Sequence, residues 1–355
     1  MSLPHNPFPG LPDKIYETMC SALNMEFATM TAQGVPLDTP TFGIVNPNGR
    51  SFDCATGLAY PSKAERARRN PKVGLLFEGL PGSPVVSVSA SAAVRDSDIQ
   101  GNVNRYIAET ANYTKTALSY GQPWSVLREA VWYWTRIFIL NTPVRIRWWP
   151  SSAELDQPPQ SCDAPAGFSY PVSDPAPASP PAPSSSWPIR EWRELAAEMI
   201  GLGIGGHLTL ADDEGYPLPF RATKTVLAAD GFDLDIPSGA PWRPEGIASL
   251  CFMGAATFIG KVAKAGNQVH FKVKRVLPVL PMVREPSQLF APSPELRASL
   301  MDRLEKELAR RGKKIPAVYA ELPPLTPGGA LREAQYAIFE SETKLREAAR
   351  EPGKA

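Results

Sequence analysis

Two short stretches decide how this chain is organised: Gln33-Gly34-Val35-Pro36-Leu37 and Glu214-Gly215-Tyr216-Pro217-Leu218. Both read as turns, because glycine takes backbone conformations closed to other residues and proline pre-sets the next step. They lie 215 minus 34, or 181 positions, apart, and their surroundings match as well. Phe27-Ala-Thr-Met-Thr31 precedes the first turn and Phe42-Gly-Ile-Val45 follows it, each with the composition of a strand. His207-Leu-Thr-Leu210 and Thr223-Lys-Thr-Val226 frame the second in the same way.

The match continues downstream. Phe52-Asp53 through Thr56-Gly57 is answered by Phe232-Asp233 through Ser238-Gly239. Lys72-Val-Gly-Leu-Leu-Phe77-Glu-Gly79 pairs with Ile247-Ala-Ser-Leu-Cys-Phe252-Met-Gly254, and Pro84 to Val88 with Ala256 to Gly260. A helical stretch precedes each half, Asp13 to Leu23 and Ile189 to Ile200, and a long strand closes each, Arg136 to Trp149 and Gln268 to Val283. Short strands joined by Gly and Pro turns at this spacing predict a mainly β chain with accessory helices, built as two closed antiparallel barrels. The plainer alternative is two unrelated β domains sharing a common turn type.

Between the halves the composition changes. Many of the 39 prolines fall between Pro150 and Pro188, where large apolar side chains are too few to offset the entropy of ordering, so a linker is expected there. The expected domains are a first barrel at 1–150 with a helical insertion at 97–135, a Pro/Ser/Ala-rich linker at 151–187, a second barrel at 188–290 and a helical extension at 291–355. In the extension, Leu296, Leu300, Leu304 and Leu308 recur every four residues and mark one amphipathic helix, with a second expected near Gly329 to Arg350.

Charge and composition narrow the function classes. Lys+Arg at 37 against Asp+Glu at 36 leaves +1, without the field a nucleic-acid or anionic-membrane binder carries. Neither nucleic acid nor membrane is expected as a partner, and the absence of an apolar run or leader pattern points to the cytoplasm. Cys20, Cys54, Cys162 and Cys251 form no CxxC, and His5, His207 and His270 show no ligand spacing, so no metal site is expected. His207 and His270 read as packed or edge strand residues, and no general acid or base can be named.

The halves differ most between strands three and four. The first carries Leu58-Ala-Tyr-Pro-Ser-Lys-Ala-Glu-Arg-Ala-Arg-Arg-Asn-Pro71, the second only Ala240-Pro-Trp-Arg-Pro244. Pro61 and Ser62 suit the opening of a helix, Lys63, Arg66, Arg68 and Arg69 make it basic, and Asn70-Pro71 stops it. Unpaired N–H groups, a hydroxyl and an ammonium at such a helix start can converge on a phosphate dianion. The bland alternative is a solvated basic helix.

The run Thr56-Gly-Leu-Ala-Tyr60-Pro-Ser62-Lys63 through Arg68-Arg69-Asn70-Pro71-Lys-Val73 resembles the phosphate-binding turn of pyridoxamine 5'-phosphate oxidase-like FMN-binding split barrels. The resemblance covers Tyr16 to Trp149 well and Glu191 to Val283 weakly, the second copy being degenerate. It implies FMN as cofactor, with deazaflavin or haem as lesser alternatives, and an oxidoreductase acting on an unidentified small organic molecule. It assigns the phosphate to Ser62 and Lys63, places Thr56 and Tyr60 beside it, and lays the flavin ring along Gly43, Ile44 and Val45 near Trp149. Family members are usually dimers with the cofactor between subunits. The second half here could stand in for the partner, with Arg221, Lys224, Trp242 or Arg243 reaching across, and a homodimer of the whole chain is also allowed. A cofactor-binding protein without turnover, or an assembly protein without cofactor, are the alternatives. The aromatic insertion, with Tyr106, Tyr113, Tyr120, Trp124, Trp132, Tyr133 and Trp134, either roofs the flavin or buries its helices on the barrel.

Overall fold

The structure is a computed structural model that describes residues 3–79, 82–113, 122–181, 187, 189–265, 268–278 and 290–337. The first half comprises α1 (Asp13–Ser21), β1 (Met25–Met30), β2 (Pro36–Thr41), β3 (Ile44–Val45), β4 (Phe52–Gly57), α2 (Ser62–Arg69), β5 (Lys72–Glu78) and β6 (Val85–Arg95). It continues through α3 (Ile99–Tyr113), α4 (Trp124–Leu127), α5 (Val131–Trp134), β7 (Arg136–Trp149) and β8 (Gln160–Asp163). The second half comprises α6 (Trp192–Gly201), β9 (His207–Ala211), β10 (Pro217–Arg221), β11 (Lys224–Leu227), β12 (Gly231–Asp235), β13 (Gly246–Phe252), β14 (Ala256–Ala265) and β15 (Gln268–Val276), followed by helix α7 (Pro294–Arg310).

The first sheet runs β2-β1-β5-β6-β7-β4-β3, with β8 added on β7, and the second runs β10-β9-β13-β14-β15-β12-β11. Strand for strand the two orders are the same, and every pairing is antiparallel. The chain is thus two split β-barrels with accessory helices. Gly34 and Gly215 hold φ of 73° and 84°, the left-handed conformation that the two matching turns require.

The strands expected at Phe42 to Val45 and Thr223 to Val226 are β3 and β11, and ahead of each the structure adds a separate strand, β2 and β10, where the sequence reads as a turn. Both strands lie at the end of their sheet, where a proline breaks no ladder bond, so Pro36, Pro40, Pro217 and Pro219 are tolerated. The expected linker is ordered at its start: β8 pairs with β7, from Arg145↔Asp163 to Trp148↔Gln160. The end of the closing strand expected at Val283, Tyr120, and the C-terminal helix beyond residue 337 with its Ile338 and Phe339 lie outside the described residues; residues 327–337 are helical.

Each barrel has its own apolar core. The first centres on Phe27, Phe52, Phe77, Val88 and Phe138, and takes in Trp124, Trp132, Tyr133 and Trp134 of the insertion and Leu300, Leu304 and Leu308 of α7. The insertion's rings therefore bury its helices on the barrel: Trp134 stacks edge-on with Trp124 and Tyr133 at 5.1 and 4.9 Å. The second core centres on Phe220, Phe232, Phe252, Phe258 and Phe271, and borrows Leu76, Val85 and Trp149 from the first half. The borrowing reflects how the halves meet, β1, β2 and β5 lying against β9, β10 and β13. Among the described residues, no helix is long and apolar enough to cross a membrane.

Candidate functional site

Helix α2 starts without a side-chain cap, so its first backbone N–H groups remain open beside the exposed Ser62. Ala64 and Ala67 are its buried face, and this packing turns Lys63 inward toward the junction of the barrels. The Lys63 ammonium is brought down to about 8, chiefly by burial, with the charges of Arg66 and Arg136 pushing the same way. Arg66 is likewise brought to about 10 by burial and by Arg69. Arg66 Nε donates to Thr29 Oγ1 at 2.7 Å, and Arg136 lies under the rings of Tyr106 and Tyr133 at 4.5 and 4.2 Å. Among the described residues, no carboxylate pairs with Lys63, Arg66 or Arg136, and the buried Arg136 Nε and Tyr60 Oη have no hydrogen-bond partner. Such a corner suits an anion: it holds several positive charges, unused donors and an open helix start.

The rest of the basic helix is engaged in structure. Arg68 pairs with Asp96 at 2.8 Å, and Glu65 takes Arg310 and Arg311 from α7. Arg311 also reaches Asp96 and Glu307 at 2.9 and 2.6 Å, so helix α7 is bolted onto α2 by a largely buried ionic network. The reading of α2 as a wholly solvated basic face therefore fails for Arg68.

Only some of the residues that the resemblance gathers come together. Thr56 and Tyr60 adjoin the corner, the Thr56 hydroxyl making a long 3.4 Å bond to the Tyr60 carbonyl. The Tyr60 ring is covered by Trp187 at 4.9 Å and by the Arg303 guanidinium at 4.4 Å. Ile44 and Val45 face the first core, and the Gly43 carbonyl accepts from the buried Arg332 at 2.9 Å. Trp149 sits away from α2 in the second core, its ring 5.1 Å from Phe220 and its indole N–H donating to the Gln157 carbonyl. Arg221 does cross between the halves, but to a carboxylate: its Nη2 and Nε meet Glu78 at 2.7 and 3.0 Å. Lys224 and Arg243 are exposed, and Trp242 is buried with its N–H on the Leu218 carbonyl.

A second polar group, which sequence reading missed, lies where the barrels touch. Burial alone would raise the Glu78 carboxyl, but hydrogen bonds and charge from His207 and Arg221 outweigh it and hold it at about 2. His207 Nε2 is 2.7 Å from Glu78 Oε2. On the other side of the ring, His207 Nδ1 stands 3.6 Å from Glu26 Oε1, with Asp38 alongside. Burial, then the neighbouring Glu26, pushes the Asp38 carboxyl well above its ordinary range. Glu26 and His207 are themselves 207 minus 26, or 181 positions, apart, the same interval as the matching turns. That interval was the one available signal: it marks the two as counterparts, and counterparts face each other across a junction of two like halves. A cavity of about 450 Å³ opens beside them, lined by Glu26, Leu76, Glu78, Arg221 and Met253 among others. His270 is tied to Asp233 and Asp230 at 2.7 and 2.9 Å, outside both groups.

No family model matches the chain, and no curated protein does. Solved structures resemble part of it. A putative pyridoxamine 5'-phosphate oxidase from Listeria innocua is 21% identical over 39% of this chain and 98% of its own, with a TM-score of 0.28. A conserved hypothetical protein from Mycobacterium tuberculosis is 18% identical over 42% of this chain and 90% of its own, with a TM-score of 0.31. A NimC/NimA family protein from Clostridium acetobutylicum is 14% identical over 43% of this chain and 93% of its own, with a TM-score of 0.29. Each is covered almost whole by about two fifths of this chain. The assignment as split barrels rests on the strand order of this chain, to which likeness at these scores adds no argument about activity.

Proposed function

We propose that the chain binds FMN by its phosphate at the start of α2 and serves as an FMN-dependent oxidoreductase toward a small organic substrate. The observation that carries this reading is the cationic corner of Lys63, Arg66 and Arg136, which among the described residues has no carboxylate within ion-pair distance, Asp38 acting on Lys63 only from farther off. Ser62 and the open N–H groups of α2 would receive phosphate oxygens, and Lys63 would supply the ammonium from the junction side. Arg66, held by Thr29, and Arg136, held against two tyrosine rings, add fixed positive charge without themselves needing to move. When bound, a flavin supplies the hydride-accepting ring, while the protein supplies orientation and exclusion of water.

A second reading, an assembly protein without cofactor, is favoured by three contacts on the ring side. Trp187 and Arg303 already cover Tyr60, and Arg332 already occupies the Gly43 carbonyl. Titration of the purified full chain with FMN, followed by flavin fluorescence, separates the two. Loss of one charge-assisted bond in Lys63→Ala is worth about 1.5 to 3 kcal/mol, or about 10- to 150-fold weaker binding. Absence of binding by the unaltered chain selects the second reading; equal affinity of the variant refutes the phosphate assignment.

A further inference from the structure

Glu26 and Asp38, on β1 and β2 of the first barrel, meet His207 on β9 of the second, all three buried, with one potential ligand atom from each within 4.8 Å of the others. Their polar atoms are unsatisfied. Both Asp38 oxygens, Glu26 Oε2 and His207 Nδ1 lack a hydrogen bond of normal geometry, as does the Thr209 hydroxyl that, with Glu26, lies against Asp38. Stranding so many buried polar atoms costs on the order of 1 to 3 kcal/mol for each one, so the arrangement calls for something that the protein atoms alone do not provide.

We propose that Glu26, Asp38 and His207 form a binding site for a divalent transition-metal ion of the zinc class, which clamps the two barrels together. Three features select a metal. His207 Nε2 is engaged by Glu78 Oε2 at 2.7 Å, which leaves Nδ1 as the ring nitrogen facing Glu26. Glu78 is in turn gripped by both Nε and Nη2 of Arg221, which gives the carboxylate–histidine support that metal-bound imidazoles typically have. The third feature is spacing. The 3.6 Å between His207 Nδ1 and Glu26 Oε1 is too long for a hydrogen bond. It is close to the roughly 3.4 Å that separates two ligands each about 2.1 Å from a tetrahedral ion.

The rival occupant is a proton shared between Glu26 and Asp38. One proton joins the two carboxylates, and the Thr209 hydroxyl and the Lys63 charge also bear on Asp38, but His207 Nδ1 is left without a partner, whereas a dication meets all three side chains at once. The ligand set of one imidazole and two carboxylates, with no thiolate among the three, suits Zn²⁺ and its spectroscopic substitute Co²⁺. The fourth position then falls to water or to Thr209. The two halves are not equivalent here, since Asp38 stands where the second half has Pro219, and that substitution puts a second carboxylate on one side only.

The test uses the full chain free of any histidine tag, stripped with a chelator and then titrated with Co²⁺ and Zn²⁺. The expected result is one equivalent per chain, visible d–d bands for Co²⁺ that Zn²⁺ abolishes, and a rise in melting temperature on loading. Asp38→Asn and His207→Gln should lose the bands. Should either fail to fold, Glu78→Gln keeps every ligand and should weaken affinity by about 10- to 100-fold, as loss of a supporting carboxylate does. A folded, stripped chain that takes up no Co²⁺ overturns the proposal, as does uptake that Asp38→Asn and Glu78→Gln leave unchanged. A protonated-carboxyl infrared band in the untreated chain, absent in Asp38→Asn, would assign the site to the shared proton instead. None of these readouts involves flavin, so the site stands or falls separately from the FMN reading.

Discussion

Replacing Gly74 by alanine tests whether the two barrels are one packed unit. Gly74 lies in β5, paired with Ala28 on one side and Ser89 on the other, and its bare Cα lets strand β10 approach from the second half. A Cβ there would stand 1.7 Å from the Pro217 carbonyl oxygen, 2.8 Å from its carbon and 3.1 Å from Leu218 Cα. All three are backbone atoms, and Pro217 is held in register with Ala211, so no flexible side chain can swing away. To reach even 3.0 Å the strands must separate by more than an ångström, which opens the packing around Leu76 and Leu218 in the shared core. Overpacking of a core costs about 1 to 3 kcal/mol, and a backbone clash belongs at the upper end. At about 2 to 4 °C per kcal/mol, a loss of about 3 kcal/mol lowers the melting temperature by about 6 to 12 °C. Circular-dichroism melting and urea denaturation read it, with Gly201→Ala as control, since nothing lies within 4 Å of a Cβ at that helix position. A Gly74→Ala protein that melts with the unaltered chain would refute the close contact of β5 with β10.

Further outcomes follow from the same geometry. Lys63 carries its charge below about 8 and loses it above. FMN affinity should therefore hold between about pH 6.5 and 7.5 and fall about tenfold or more by pH 9.5, one charge-assisted bond being lost; Lys63→Arg should flatten that profile, and a flat profile in the unaltered chain would remove Lys63 from the phosphate. Arg311 is buried among Asp96, Glu307 and Glu65, so Arg311→Met takes one of two arginines from each carboxylate, leaving Asp96 to Arg68 and the two glutamates to Arg310. A loss of about 1 to 3 kcal/mol is expected in denaturant titration at neutral pH, together with earlier proteolytic release of α7; unchanged stability would mean that Arg311 contributes nothing to the network.

Much of the architecture was open to reading along the chain because strands and turns are local. Gly34 and Gly215 need their positive φ wherever the rest of the chain lies, and the alternation of strand and turn around them reports the barrel twice over. The amphipathic spacing of Leu300, Leu304 and Leu308 marked α7 for docking for the same reason. Closing strand β7 spans the residues expected, Arg136–Trp149. Strand β2 was missed because proline reads as a turn signal, and only the sheet order shows that Pro36 stands at an edge where it is harmless.

The site divides along the same line. Residue types and the helix start at Ser62 are sequence properties, so a cationic turn could be seen there. Which of its arginines remain unpaired could not, because Asp96, Asp174 and α7 come to them from elsewhere in the chain. Trp149 is expected near the flavin ring, yet the junction of the barrels draws it into the second core. Histidine spacing does not bear on the proposed metal site, because that rule assumes ligands near one another in the chain. Glu26, Asp38 and His207 instead meet through the pairing of one barrel with the other. Order along the chain determined two barrels and a basic turn. Contact between the barrels alone decided which charges are satisfied within them and which are left to face a ligand, because burial and pairing depend on neighbours that lie far off in the sequence.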